Sequence, residues 1–180
     1  WASGWISFGR GDVCMTADKP LIIGDIARRA FDAVAALQTA PSLEELDALV
    51  ARQFSSLGFD VWVGFDSVNT SGEADVNVLF GATHQAWESH YKESGFDQHD
   101  VMIRESLKSG EPFFWSDVLQ RTDLSAKEQL VMNQAGDFRL REGFVAPMHN
   151  LDGSITAVLL TGDKVDVADP DVRAAAHLLS

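Results

Sequence analysis

The sequence predicts an α+β domain in which an antiparallel sheet of about five strands is covered by helices. Three observations predict it. Hairpin signals stand towards both ends of the chain, helical patterns are grouped between them, and two Ser-x-x-Glu boxes mark helix starts. A chain of 180 residues, 46% hydrophobic and 23% charged, fits a single core, since domains cluster at roughly 100 to 150 residues and split mostly beyond ~250.

Taken in order, Ile26, Ala27, Ala30, Val34 and Leu37 recur at helical spacing within 23–37 and predict an amphipathic helix. A second helix is expected over 42–57. Ser42 can accept from a first-turn N–H while Glu45 reaches back, Leu43, Leu46, Val50, Phe54 and Leu57 share a face, and Gly58 closes it. The run "FDVWVGFDSV", 59–68, alternates and is rich in β-branched and aromatic residues, so it reads as a strand; "NTSGEAD" reads as a turn and "VNVLFG", 76–81, as the returning strand. Helices are expected over 84–94 and 100–109, a short strand in "PFFWSD", and a helix opened by Ser125 and Glu128 and running to Phe138. "FVAPMH" and "SITAVLLTG" flank "NLDG" as a closing hairpin, and Pro170 stands at the first position of a last helix.

Charge narrows the function. Fourteen Lys and Arg against 27 Asp and Glu give a formal net charge of -13, which opposes the phosphate neutralisation on which nucleic-acid binding depends. This piece is not expected to bind DNA by itself. No apolar run approaches the ~18 to 20 residues of a membrane helix and no signal-peptide pattern opens the chain, so a cytoplasmic location is expected. The lone Cys14 excludes an internal disulfide framework. Residues 1–14 read as a leader or appended tail before Met15, with the domain over 15–180; the Arg10–Asp12 "RGD" tripeptide is a chance match, and the chain looks cut at Ser180.

Scarce residues gather in the middle. Trp87, Tyr91, Asp100 and Trp115 fall within 32 residues, 86–117, of a chain with five Trp and one Tyr. Trp87 and Tyr91 are four apart and share a helix face. Trp offers one N–H, Tyr a donor and an acceptor, and an ionised Asp accepts only. Such a set complements a small ligand with carbonyl oxygens and one N–H, such as an acylated amide. Taken singly, each residue also has a structural reading: Trp87 and Tyr91 as core aromatics, Asp100 as a helix cap with Asp97 as the alternative, Trp115 as a core strand residue. His84, His90 and His99 show no metal-ligand spacing, and no GxSxG, GxGxxG or Walker-type loop occurs, so neither a metal site, a cofactor nor an enzyme is expected.

Together these residues resemble the N-terminal autoinducer-binding domain of LuxR-type quorum-sensing transcription regulators. The resemblance rests on a Trp and a Tyr four apart (Trp87, Tyr91), Asp100, Trp115 in "FFWSD" and Gly143 ahead of a Pro-containing strand, with a weaker pattern over 23–179. It implies a helix, antiparallel sheet, helix sandwich similar to GAF and PAS domains, enclosing an N-acyl-homoserine lactone. By that resemblance Trp87 donates to the lactone carbonyl, Asp100 accepts the ligand amide N–H and Tyr91 lies along the acyl carbonyl. Trp115, with Phe114 beside it, packs against the lactone ring, and Gly143 keeps a close approach open. A homodimer is implied, with DNA bound only through a C-terminal helix-turn-helix domain that this chain does not include.

The chain departs from that pattern at three places. Val101 replaces a Pro after the Asp, Thr83 stands where many members carry a Tyr, and Leu159 where many carry a small hydroxyl residue, with Thr161 two residues on along the same strand face. A less polar lining suits an acyl group without a 3-oxo oxygen, branched or aromatic, and "EGFVAPMHNLDGS" looks like members that take such groups. The rival readings are a sensor of a non-lactone molecule, a lactone-processing enzyme, and a dimerisation module with no pocket.

Overall fold

The structure is a computed structural model and describes residues 25–70 and 73–179. The expected leader, the "RGD" tripeptide and Cys14 lie outside the described residues, as does the start of the first predicted helix. Helices α1 (Asp25–Gln38) and α2 (Leu43–Ser55) come first, followed by strands β1 (Val61–Thr70) and β2 (Glu73–Ala82). A middle group holds α3 (Gln85–Glu93), a 3-10 turn (Phe96–His99), α4 (Val101–Ser106), β3 (Phe113–Phe114), α5 (Trp115–Arg121) and α6 (Ala126–Asp137). The hairpin of β4 (Glu142–His149) and β5 (Ile155–Gly162) and then α7 (Pro170–Leu179) complete the described chain.

The five strands form one antiparallel sheet in the order β2-β1-β5-β4-β3. Strand alternation divides its side chains between two cores. On one face Val61, Val63, Phe65, Phe113, Val145 and Ala157 pack under the middle group of helices. On the other, Phe114, Phe144, Ala146 and Leu160 pack with residues of α1, α2 and α7. Ala30 on α1 and Ala175 and Ala176 on α7 are small and buried there, which lets those helices approach closely. The expected helix, sheet, helix sandwich is what forms.

Local signals explain most boundaries. Ser42 caps α2 by accepting the Glu45 N–H at 3.2 Å, and Gly58 leaves that helix at φ +92° with Lys164 O packed where a side chain would stand. At α6 the capping box is complete: Ser125 accepts the Glu128 N–H at 3.3 Å, and Glu128 Oε2 accepts the Ser125 N–H at 2.8 Å. Pro170 opens α7 as expected.

Two expectations are corrected. "PFFWSD" is a strand only at Phe113 and Phe114, and Trp115 is the first residue of α5. The cause is distant: Glu142 Oε1, from β4, accepts the Ser116 N–H at 3.2 Å and so satisfies a first-turn donor that no local side chain caps. The first hairpin turn is also tighter than "NTSGEAD", because β1 runs on to Thr70 and β2 begins at Glu73.

Candidate functional site

A cavity of about 260 Å³ lies between the sheet and the middle helices. Its floor comes from alternate residues of β1 and β5: Val61, Val63 and Phe65, then Leu159 and Thr161. Its roof comes from α3, the 3-10 turn, α4 and α6, with Met102, Met132 and Leu140 adding apolar lining that the motif search missed. The signal for the floor was present in the alternation of β1; the roof residues depend on how the helices dock. Glu88, Lys92 and Asp97 also line the cavity, and Lys92 pairs with Glu88 at 2.7 Å.

Of the sequence-predicted residues, Trp87, Tyr91, Asp100, Trp115, Thr83, Leu159 and Thr161 all line this one cavity. The remaining three do not line it. Val101 is fully buried in the core beneath. Gly143 contributes no side chain, but a Cβ built on it would stand 2.5 Å from Trp115 Nε1, so the absent side chain is what makes room for the indole. Phe114 is displaced from the predicted set: in a two-residue strand neighbours face opposite ways, and it packs on Phe144 at 4.8 Å in the second core, under the Arg173 guanidinium.

Asp100 holds the polar centre. Its Oδ1 accepts the Met102 N–H at 2.7 Å and the Ile103 N–H at 3.4 Å, capping α4, while Oδ2 accepts the Tyr91 hydroxyl at 2.9 Å. The cap role and the cavity role therefore belong to one carboxyl. Burial pushes this carboxyl above its ordinary value, and the hydrogen bonds from Met102, Tyr91 and Ile103 pull it part of the way back. The Tyr91 phenol is raised well above its ordinary value, first by burial and then by the Asp100 charge.

Aromatic packing fixes α3, which buries no residue fully, against α6. Trp87 lies 5.5 Å from Tyr91 and 5.3 Å from Phe138 between ring centroids, and His90 stacks on Phe138 while its Nε2 meets Gln134 Oε1 at 2.5 Å. Arg104 on α4 pairs with the buried Glu128 on α6. Burial raises the Glu128 carboxyl, but the Ser125 bonds and Arg104 outweigh it and hold it below its ordinary value.

Four buried side-chain polar atoms among the described residues have no hydrogen-bond partner: Asp66 Oδ1, Arg104 Nε, Trp115 Nε1 and Thr161 Oγ1. The last two belong to residues that line the cavity. Among the described residues no group of three or more His, Cys, Asp or Glu is placed to hold a metal ion, and no helix is long and apolar enough to cross a membrane.

A family model described as the autoinducer binding domain matches residues 42–180. The chain is 29% identical over 156 residues to the transcriptional activator protein BjaR1 of Bradyrhizobium diazoefficiens, covering 87% of this chain and 64% of the relative. It is 31% identical over 152 residues to the quorum-sensing-dependent regulator RpaR of Rhodopseudomonas palustris, covering 81% of this chain and 61% of that protein. The chain thus spans under two thirds of the length of both. Among solved structures, the N-acylhomoserine-lactone-dependent LuxR-family factor CepR2 of Burkholderia cenocepacia superposes with a TM-score of 0.66 at 21% identity, over 87% of this chain and 92% of that one.

Proposed function

The chain belongs to the autoinducer-binding domain family of LuxR-type quorum-sensing transcription regulators, and from that premise we propose that its cavity binds an N-acyl-homoserine lactone. The observation that carries this reading is the Asp100 carboxyl, set by Tyr91 and the α4 backbone in a cavity whose floor and roof are otherwise mostly apolar. The carboxyl accepts from Tyr91 and the α4 backbone and forms no ion pair among the described residues, so a neutral N–H donor on a ligand is a natural complement to its lone pairs.

In this reading Asp100 accepts the ligand amide N–H, Trp87 donates to the lactone carbonyl and the Trp115 ring packs against the lactone. The Tyr91 ring flanks the acyl carbonyl, while its proton goes to Asp100. The acyl tail runs along the valines of β1 and β2 and the methionines of the roof, gaining about 0.8 kcal/mol per buried CH2. A volume of 260 Å³ falls below the ~300 to 1,000 Å³ usual for small-molecule sites and favours a compact acyl group. Thr83 and Leu159, in place of longer or more polar donors, favour one without a 3-oxo oxygen, branched or aromatic.

The ligand acts by linkage rather than turnover: it stabilises the folded domain by RT ln(1 + [L]/Kd) and so favours a homodimer whose remaining part binds DNA in the cytoplasm. Calorimetric titration with matched 3-oxo and unsubstituted lactones tests the reading. Micromolar or tighter binding, abolished or weakened in Asp100→Ala, supports it; equal affinity of parent and variant refutes the site, and a clear preference for the 3-oxo series refutes the acyl assignment.

A further inference from the structure

We infer that His90, hydrogen-bonded to Gln134, is a positioning residue for ligand binding: it sets α3 against α6 so that the Trp87 indole N–H is aimed at the ligand's lactone carbonyl. This rests on the lactone reading above and adds to it two residues that do not themselves line the cavity.

α3 carries Trp87 and Tyr91 but does little to hold itself in place. None of its residues is fully buried, no side chain caps its N-terminus, and the chain leaves it through Gly95 at φ +63° with open space around that residue. Helices in proteins owe most of their stability to a packed apolar face. A helix without buried side chains therefore takes its orientation from a few contacts. Among the described residues, two side-chain hydrogen bonds tie α3 to other elements: Tyr91 to Asp100 at 2.9 Å and His90 to Gln134 at 2.5 Å. The first fixes the phenol; the second fixes the helix against α6.

The ring contacts show what the second bond sets. His90 stands three residues after Trp87, the spacing of neighbours on one helix face. Phe138, one turn on from Gln134, stacks on His90 at 5.5 Å and lies 5.3 Å from the Trp87 ring. Aromatic pairs are satisfied over centroid separations of roughly 4.5 to 7 Å, so these contacts alone allow α3 to slide and turn. A hydrogen bond weakens steeply off line. An amide oxygen only accepts, so His90 Nε2 carries the hydrogen and donates to Gln134 Oε1. The bond thus selects one rotation of α3 from those the rings permit. Trp87 has a single N–H to offer, and its aim turns with the helix.

The test uses Gln134→Leu, which removes the acceptor and keeps every ring, and Gln134→Glu, which keeps an acceptor at the same reach. The probes are N-hexanoyl-homoserine lactone and N-hexanoyl-cyclopentylamine, which lacks the lactone oxygens. Gln134→Leu is expected to bind the lactone about five- to tenfold more weakly and the cyclopentylamine compound within about twofold of the parent, while Gln134→Glu binds the lactone as the parent does. In the Trp87→Phe background, where the indole donor is already gone, Gln134→Leu should cost no further lactone affinity. His90→Phe, which removes the donor and keeps a ring on Phe138, should give the same pattern and decides the matter if Gln134→Leu does not fold. Equal losses on both probes, or a further loss in the Trp87→Phe background, would make the bond merely structural, and a loss shared by Gln134→Glu would take the effect away from the acceptor; each result overturns the inference. No loss on either probe, with lactone affinity still falling in Asp100→Asn, overturns the inference and leaves the lactone reading standing. Failure of the parent chain to bind the lactone overturns both.

Discussion

The Tyr91 hydroxyl donates to Asp100 Oδ2 across 2.9 Å, while the other oxygen of the same carboxyl accepts the Met102 N–H at 2.7 Å. One side chain therefore couples α3 to α4 and presents an oriented acceptor to the cavity between them. Removing the phenolic donor should loosen that orientation without disturbing the core, because Tyr91 and Phe have nearly the same ring. Tyr91→Phe is expected to fold normally and to bind a lactone about 5- to 30-fold more weakly, a loss of ~1 to 2 kcal/mol that lies between the net worth of a neutral hydrogen bond and the upper end for one to a charged group. Parent-like affinity on titration would show that Asp100 is held by its cap bonds alone.

The same carboxyl gives a pH dependence with a definite sign. Its folded value is raised above 3.8 by burial, so the stability it contributes is present below that ordinary value and is lost as pH rises through the folded one. Asp100→Asn should thus gain stability relative to the parent as pH rises through that window, measured as the difference between their ligand-free melting temperatures. Ligand reverses the trend: an amide N–H donating to the charged form makes binding tighten as pH rises across the same window. A melting-temperature difference flat in pH would contradict the assignment.

Gly143→Ala tests the close approach of the indole. The new Cβ would stand 2.5 Å from Trp115 Nε1, so the ring or the strand must move. Overpacking of this kind costs about 1 to 3 kcal/mol, to be read by urea unfolding, and lactone binding should weaken in step. An unchanged unfolding midpoint would mean that Trp115 is free to shift.

Glu128→Gln separates the ion pair from the helix cap. Gln keeps the capping-box hydrogen bond but gives up the charge facing Arg104, whose side chain is 39% exposed. Breaking a fully buried pair costs about 3 to 5 kcal/mol and a surface pair under ~1 kcal/mol, so about 2 kcal/mol is expected in urea unfolding. A loss below ~0.5 kcal/mol would place the pair among ordinary surface bridges.

Where local chemistry decides structure, the sequence was legible. Ser42 with Glu45, Ser125 with Glu128, the "NLDG" turn and Pro170 each mark a boundary that the fold keeps. Helix α5 was not legible because the N–H of Ser116 is satisfied by Glu142, 26 residues away, and "PFFW" alone favours a strand. The site was legible to the extent that its residues are chemically distinctive: Trp87, Tyr91, Asp100 and Trp115 stand out by type and spacing. Phe113 and Phe114 are identical in type, and only pairing of β3 with β4 decides which one faces the cavity side. The place of the Trp115 indole likewise depends on Gly143, on a strand 28 positions on in the chain, which leaves room for the ring and which no pattern local to Trp115 encodes.

The most direct test is to express the chain with a mixed panel of N-acyl-homoserine lactones, purify it, and identify any retained molecule by mass spectrometry. One retained lactone with a compact acyl group lacking a 3-oxo oxygen, present with the parent chain and depleted with Asp100→Ala, is the predicted result. Well-folded protein that retains no lactone, or retains it equally when Asp100 is replaced, would contradict the account.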